Sequence, residues 1–131
     1  MGQIEDAARA VIIVGASPDR SRFSNKAVRA YLDAGYRVYP VHPKEGQVEG
    51  LAAVPSVAEV PGSAELLLLY VRPDVGISAV EQAAARGVKR IFVNPGTESP
   101  ELVARIRALG LEPIEACAIR ALGRSPQEFP E

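Results

Sequence analysis

The stretch Val11–Lys26, VIIVGASPDRSRFSNK, constrains this chain more than any other. Val11 to Val14 are four β-favouring apolar residues in a short unbroken run, the pattern of a strand buried on both faces. Gly15 ends the run where the backbone must turn sharply and let another group come close. A polar, hydroxyl-rich loop follows, and a helical pattern begins near Asn25. Strand, glycine turn and helix start form a geometry that presents free backbone N–H groups to an anion. The stretch therefore reads as a phosphate site.

Strands and helices keep alternating along the rest of the chain. Ahead of the first strand, Gln3–Arg9 is expected to make one or two helical turns, with Ile4, Ala7 and Ala8 on one face. Beyond the loop, Ala27, Val28, Tyr31 and Leu32 recur at helical spacing, and Gly35 stands where a C-terminal glycine cap belongs. Tyr36–Val41 reads as a second strand, although Pro40 argues against a long central one. A turn-rich stretch, His42–Gly50, comes next. Ser56 and Glu59 have capping-box spacing and predict a short helix up to Pro61. Glu65–Val71 is the third main strand, too apolar to have a solvent face. Val75–Arg86 is predicted as a helix with Ile77, Val80 and Ala84 inward, and Val88–Val93 as the fourth strand. Ser99-Pro100 has the form of an N-cap with proline at the first helical position, opening a helix that ends at Gly110. Leu111–Ile114 is expected at an edge because of Pro113, and the tail 123–131 is expected to be loosely held.

This alternation means a parallel sheet covered on both faces. The expected fold class is α/β, a three-layer Rossmann-like fold with a five-stranded, mainly parallel sheet. Right-handed crossovers and the size of the first βαβ unit suggest strand order 3-2-1-4-5. Ligands of such sheets sit outside the carboxyl ends of the strands, at the switch point beside strand one. At 131 residues the chain is expected to be a single domain spanning 1–131. A net charge of −1, with three Phe and four Tyr, argues against nucleic acid as a partner. Leu66–Val71, the longest apolar run, is too short to span a bilayer, and no signal-peptide layout precedes the first strand. A cytoplasmic location is expected. One cysteine excludes an internal disulfide framework and the usual multi-cysteine zinc sites.

The loops carry the chemistry. After Gly15 come Ala16, Ser17 and Pro18, so the three-glycine dinucleotide fingerprint is missing. Ser17, Ser21 and Ser24 supply hydroxyls instead, and Arg20, Arg22 and Lys26 supply positive charge near the helix start. Such a set suits a pyrophosphate, whose oxygens can be shared between charge-assisted bonds and backbone amides. An NAD site wants an acid at the end of strand two, to accept from the ribose hydroxyls. This chain has Val41-His42-Pro43-Lys44 there and no acid until Glu45. A lysine at that place favours a phosphate on the ribose, which means NADP or coenzyme A.

With the loop, GASPDRSRFSNKA (Gly15–Ala27), GYRVYPVHPK (Gly35–Lys44) and VRP (Val71–Pro73) resemble the small CoA-binding protein family. That family is related to the N-terminal domain of the succinyl-CoA synthetase alpha subunit. The resemblance runs from about Val11 to Leu122. It implies that Gly15, Ser17 and the Ser24-Asn25-Lys26 helix start hold the pyrophosphate of coenzyme A. By the same resemblance Pro43 and Lys44 lie by the adenosine 3′-phosphate, and Val71, Arg72 and Pro73 line the cofactor between strands one and four. The family more often has Asn at the place of His42. The phosphorylated histidine of the synthetase lies in a second domain, so its chemistry is not expected to carry over.

His42, the only histidine, has no legible catalytic partner other than Glu45 and reads as a hydrogen-bonding turn residue. Cys117 follows the last strand, where it either packs as a small apolar residue or reaches the coenzyme A thiol in a mixed disulfide. Asn94-Pro95-Gly96-Thr97 leaves the same sheet edge, as a plain turn or as the border of the thiol end. The expected function is binding of coenzyme A or an acyl-CoA, without catalysis. The rivals are an NADP-dependent oxidoreductase-like domain and a nucleotide-sensing regulatory module. A ligand-dependent oligomer mass would favour the sensing module. Homo-oligomers and protein partners are left open.

Overall fold

The computed structural model describes residues 7–131. Of the expected N-terminal turns, Ala7–Arg9 is a short 3-10 helix, and residues 3–6 lie outside the described residues. The sheet is built from β1 (Ala10–Val14), β2 (Arg37–Val41), β5 (Leu66–Leu69), β6 (Arg90–Val93) and β7 (Glu112–Ile114). Between β2 and β5 lies a small antiparallel hairpin of β3 (Gln47–Val48) and β4 (Leu51–Ala52), then a 3-10 turn at Val57–Glu59. The helices are α1 (Phe23–Asp33), α2 (Pro73–Ala84) and α3 (Pro100–Ala108).

All five main strands run parallel, but their order is β2-β1-β5-β6-β7. In the numbering of main strands that is 2-1-3-4-5, not the expected 3-2-1-4-5. The third main strand pairs with β1, Leu69 opposite Val14, instead of lying outside β2. Strands β1 and β5 are apolar and buried along their whole length, so the residue pattern carries no record that they are neighbours. Strand β2 is thereby an edge. This agrees with Pro40, whose carbonyl points outward and accepts from Val54 N–H at 3.2 Å. A bridge between Val41 and Val54 covers the end of that edge.

Alternate side chains of the strands enter two cores. Ile12, Val14, Leu67, Leu69, Ile91 and Val93 pack with Ala79, Val80 and Ala83 of α2 and Leu102 and Ile106 of α3. Val11, Ile13, Leu66, Leu68 and Phe92 face Ala27, Val28 and Tyr31 of α1 on the other side. The inward stripe of α2 is Gly76, Ala79, Val80 and Ala83; of the expected inward residues Val80 is fully buried, Ile77 packs half-buried against the core and Ala84 is half-buried. In α1, Leu32 is exposed where the spacing had it inward.

The tail, expected to be loose, is docked on α1. Phe129 and Pro126 are buried, and Arg29 donates to the carbonyls of Phe129 and Pro130. Arg124 bridges Asp33 of α1 and Glu128 of the tail, both at 2.7 Å. Low apolar content suggested a free end, yet one buried phenyl ring with backbone partners suffices to hold it.

Candidate functional site

A cavity of about 800 Å³ opens at the carboxyl ends of β1, β2 and β5. Since β5 lies beside β1, the loops after these two strands meet directly. Tyr70 N–H donates to Val14 O at 2.9 Å, and Gly15 N–H donates to Val41 O at 2.9 Å. Gly15 has φ +88, and a Cβ there would stand 2.6 Å from the Tyr70 carbonyl oxygen. Glycine is required at the meeting point of the three strand ends, for its backbone conformation and for space.

Two helices start at this cavity without a side-chain cap. Arg22 and Arg72 stand at the cap positions of α1 and α2, and neither side chain caps its helix. The third start, at α3, is capped by Ser99 Oγ accepting from Leu102 N–H at 3.1 Å. The first-turn amides of α1 and the positive ends of both helix dipoles are thus available to an acceptor. The chemistry is that of an anion cradle, which is what a pyrophosphate requires.

Of the residues expected at the site, Gly15, Ser17, Arg22, Ser24, His42, Pro43, Val71 and Arg72 line the cavity, and Gly96 and Thr97 of the strand-four turn close one end. The other expected residues serve the wall from behind or stand apart. Asn25 is fully buried. Its Nδ2 donates to Ser17 O (2.9 Å) and Glu49 Oε2 (3.0 Å), while its Oδ1 accepts from Arg29 Nε (2.8 Å). It fastens the glycine loop to the β3–β4 hairpin. Arg20 is drawn to the same carboxylate, 3.3 Å from Glu49. Ala16 is buried in the α1-side core. Lys26, Lys44 and Pro73 do not line the cavity, and Lys44 is exposed.

The charge balance is more mixed than the sequence suggests. Asp19 and Glu45 line the cavity with Arg22 and Arg72. The Ser21 hydroxyl (2.7 Å) and amide (3.0 Å) donate to Asp19, and with Arg22 nearby they hold its carboxyl below the usual range. Glu45, the first acid after strand two, lies on the cavity wall four residues beyond the strand's last residue, Val41. Phe23, Tyr70 and Val75 supply apolar wall. These side chains escaped sequence reading because each lies at an element boundary, where periodicity is silent; their common signal is position at a strand's carboxyl end or a helix start. Phe23 is 62% exposed at the rim.

His42 Nδ1 accepts from the backbone amides of Lys44 (3.1 Å) and Glu45 (3.3 Å), the geometry of a turn residue. Tyr70 turns its hydroxyl into the protein, where it finds no partner among the described residues, and burial pushes its pKa up. Cys117 is half-buried against the α1-side core, beside Tyr70 and Ile114, and is absent from the cavity wall. Asn94 is buried and structural: Nδ2 donates to Leu69 O (3.0 Å) and Oδ1 accepts from Ala118 N–H (2.9 Å). A second recess, about 180 Å³, adjoins the cavity between Pro43, Pro55, Val57, Val71, Val75 and Ala79.

Among known proteins, the chain is 28% identical over 86 residues to the alpha subunit of an ADP-forming acetate–CoA ligase II of Pyrococcus furiosus. The match covers 65% of this chain and 19% of that subunit, so the chain spans a small part of the curated relative. A hypothetical protein of Pyrococcus horikoshii superposes with a TM-score of 0.82 at 33% identity, covering 86% of this chain and 80% of that one. A dinucleotide-forming acetyl-coenzyme A synthetase 1 of Ca. Korarchaeum cryptofilum gives 0.71 at 26% identity, over 82% of this chain and 25% of its own. Residues 9–122, which include the glycine loop, the strand-two loop and the whole cavity wall, match the CoA binding domain, and the chain belongs to that family.

Proposed function

We propose that this chain binds coenzyme A, or an acyl-CoA, in the 800 Å³ cavity and that binding, not turnover, is its task. The observation that carries the reading is the uncapped start of α1 beside Gly15, where backbone amides and Arg22 converge on one anion-sized place. The pyrophosphate lies over Gly15, Ser17 and the first turn of α1. The adenine enters the apolar recess between Pro43, Val71 and Ala79, which suits a flat heterocycle in size and polarity. The pantetheine arm runs toward Gly96 and Thr97, along Val75 and Phe23. Lys44 stands free on the strand-two loop to meet the 3′-phosphate. The domain works as one unit, and no catalytic step is assigned to it.

Calorimetric titration with coenzyme A, dephospho-CoA and NADP tests the proposal. A charge-assisted bond contributes about 1.5–3 kcal/mol, so loss of the 3′-phosphate weakens binding about 10- to 150-fold if Lys44 meets it. Coenzyme A binding by that margin, with NADP silent, supports the reading. NADP binding with coenzyme A silent overturns it in favour of a hydride-transfer domain. Arg22→Ala weakens both coenzyme A and dephospho-CoA about tenfold, whereas Lys44→Ala affects coenzyme A alone.

A further inference from the structure

His42 lines the cavity, and its ring nitrogen Nδ1 is bonded to the strand-two loop. Nδ1 accepts from Lys44 N–H and Glu45 N–H, and the residue's own backbone N–H donates to Val54 O at 3.0 Å. A nitrogen that accepts carries no hydrogen, so this geometry requires the neutral imidazole with its proton on Nε2. We propose that His42 is a positioning residue that holds the loop Pro43–Glu45 in its binding shape while the ring is neutral and releases it when the ring gains a proton. A proton on Nδ1 turns the acceptor into a third donor aimed at two donors, and all three cannot be satisfied together. Pro43 and Glu45, whose placement depends on those bonds, line the cavity.

The cavity that His42 lines also carries charges of both signs. Asp19 and Arg22 come from the loop before α1, Arg72, paired with Asp74, from the start of α2, and Glu45 from the ring's own loop, where Lys44 stands outside the cavity wall. An asparagine at this position has an amide oxygen that accepts the same two amides at any pH. Histidine in its place makes the loop answer to protonation of the ring.

The ligand part of this inference rests on the coenzyme A reading; the loop part does not. Backbone amide exchange of the ligand-free protein therefore comes first. Lys44 and Glu45 amides are protected at about pH 8 and lose that protection toward about pH 5, in step with protonation of the His42 ring followed by NMR. They stay protected at both ends in His42→Asn and are unprotected at both in His42→Ala. Affinity for dephospho-CoA is then measured over the same range, since that ligand lacks the phosphate monoester that titrates near about pH 6. Affinity falls about five- to tenfold on acidification in the native protein and stays flat in His42→Asn. Protection that ignores pH, or that survives His42→Ala, overturns the proposal. Affinity that rises on acidification also overturns it, because the imidazolium would then be a direct contact to the anion. Amides that follow His42 in a protein that takes no dephospho-CoA would leave the loop device standing and sink the ligand reading.

Discussion

Gly15 and Tyr70 show how much of the site hangs on single atoms. The Gly15 Cα faces a backbone carbonyl with no room for a methyl group, and its φ lies in the region open mainly to glycine. Gly15→Ala is expected to destabilise the protein by about 3 kcal/mol, read from urea unfolding midpoints, through strain and clash together. Tyr70 carries the opposite expectation. Its hydroxyl is buried without a partner among the described residues, so its removal gives up no bond there. Tyr70→Phe should leave stability unchanged or raise it by up to about 1 kcal/mol; a loss of that size would show a partner that the geometry does not contain. At Asn25 the residue type was legible but the role was not. An asparagine at a helix start suggests contact with an anion, whereas both ends of its amide are spent on Ser17, Glu49 and Arg29.

At the level of elements, the difference between capped and uncapped helix starts divides scaffold from site. Ser99 closes α3 with its own oxygen, and that helix takes no part in the cavity wall. The starts of α1 and α2 are left open where the cavity lies. The tail belongs to the scaffold. Its Phe129 ring is 8% exposed and sits under the Arg124 guanidinium, 4.8 Å from its centroid. Phe129→Ala should cost about 3 kcal/mol, measured by chemical unfolding. The Arg124 ion pairs add a pH dependence. Bonds from Arg124 and from the Ser125 amide hold the Glu128 carboxyl below its ordinary value. Their contribution is therefore complete above the ordinary carboxylate range and is lost as pH falls through the lowered value. Hydrogen exchange of the tail amides should accelerate below about pH 4 before that of the sheet.

For the molecule as a whole, the proposal makes ligand and stability one measurement. A ligand that binds the folded chain alone, at a hundred times its dissociation constant, adds about 2.7 kcal/mol to the unfolding free energy. Coenzyme A should raise the thermal midpoint accordingly, and NADP at the same concentration should not. The five strands, the three long helices, the Ser99 cap and the glycine loop could all be read from residue order, because short apolar runs, helical spacing and cap residues are local properties. Strand neighbours could not. Leu66–Leu69 is apolar on both faces and would pair as well outside β2 as beside β1; only the assembled sheet puts it beside β1. That pairing alone brings Tyr70 and Val71 against Gly15 and gives the cavity its wall. By itself the sequence determined the alternation of strand and helix, the place of the glycine loop and the family. Tertiary structure decided the strand order, the docking of the tail, the acids on the cavity wall and the bonds of His42, since each depends on residues far apart in the chain that meet only when the sheet is assembled.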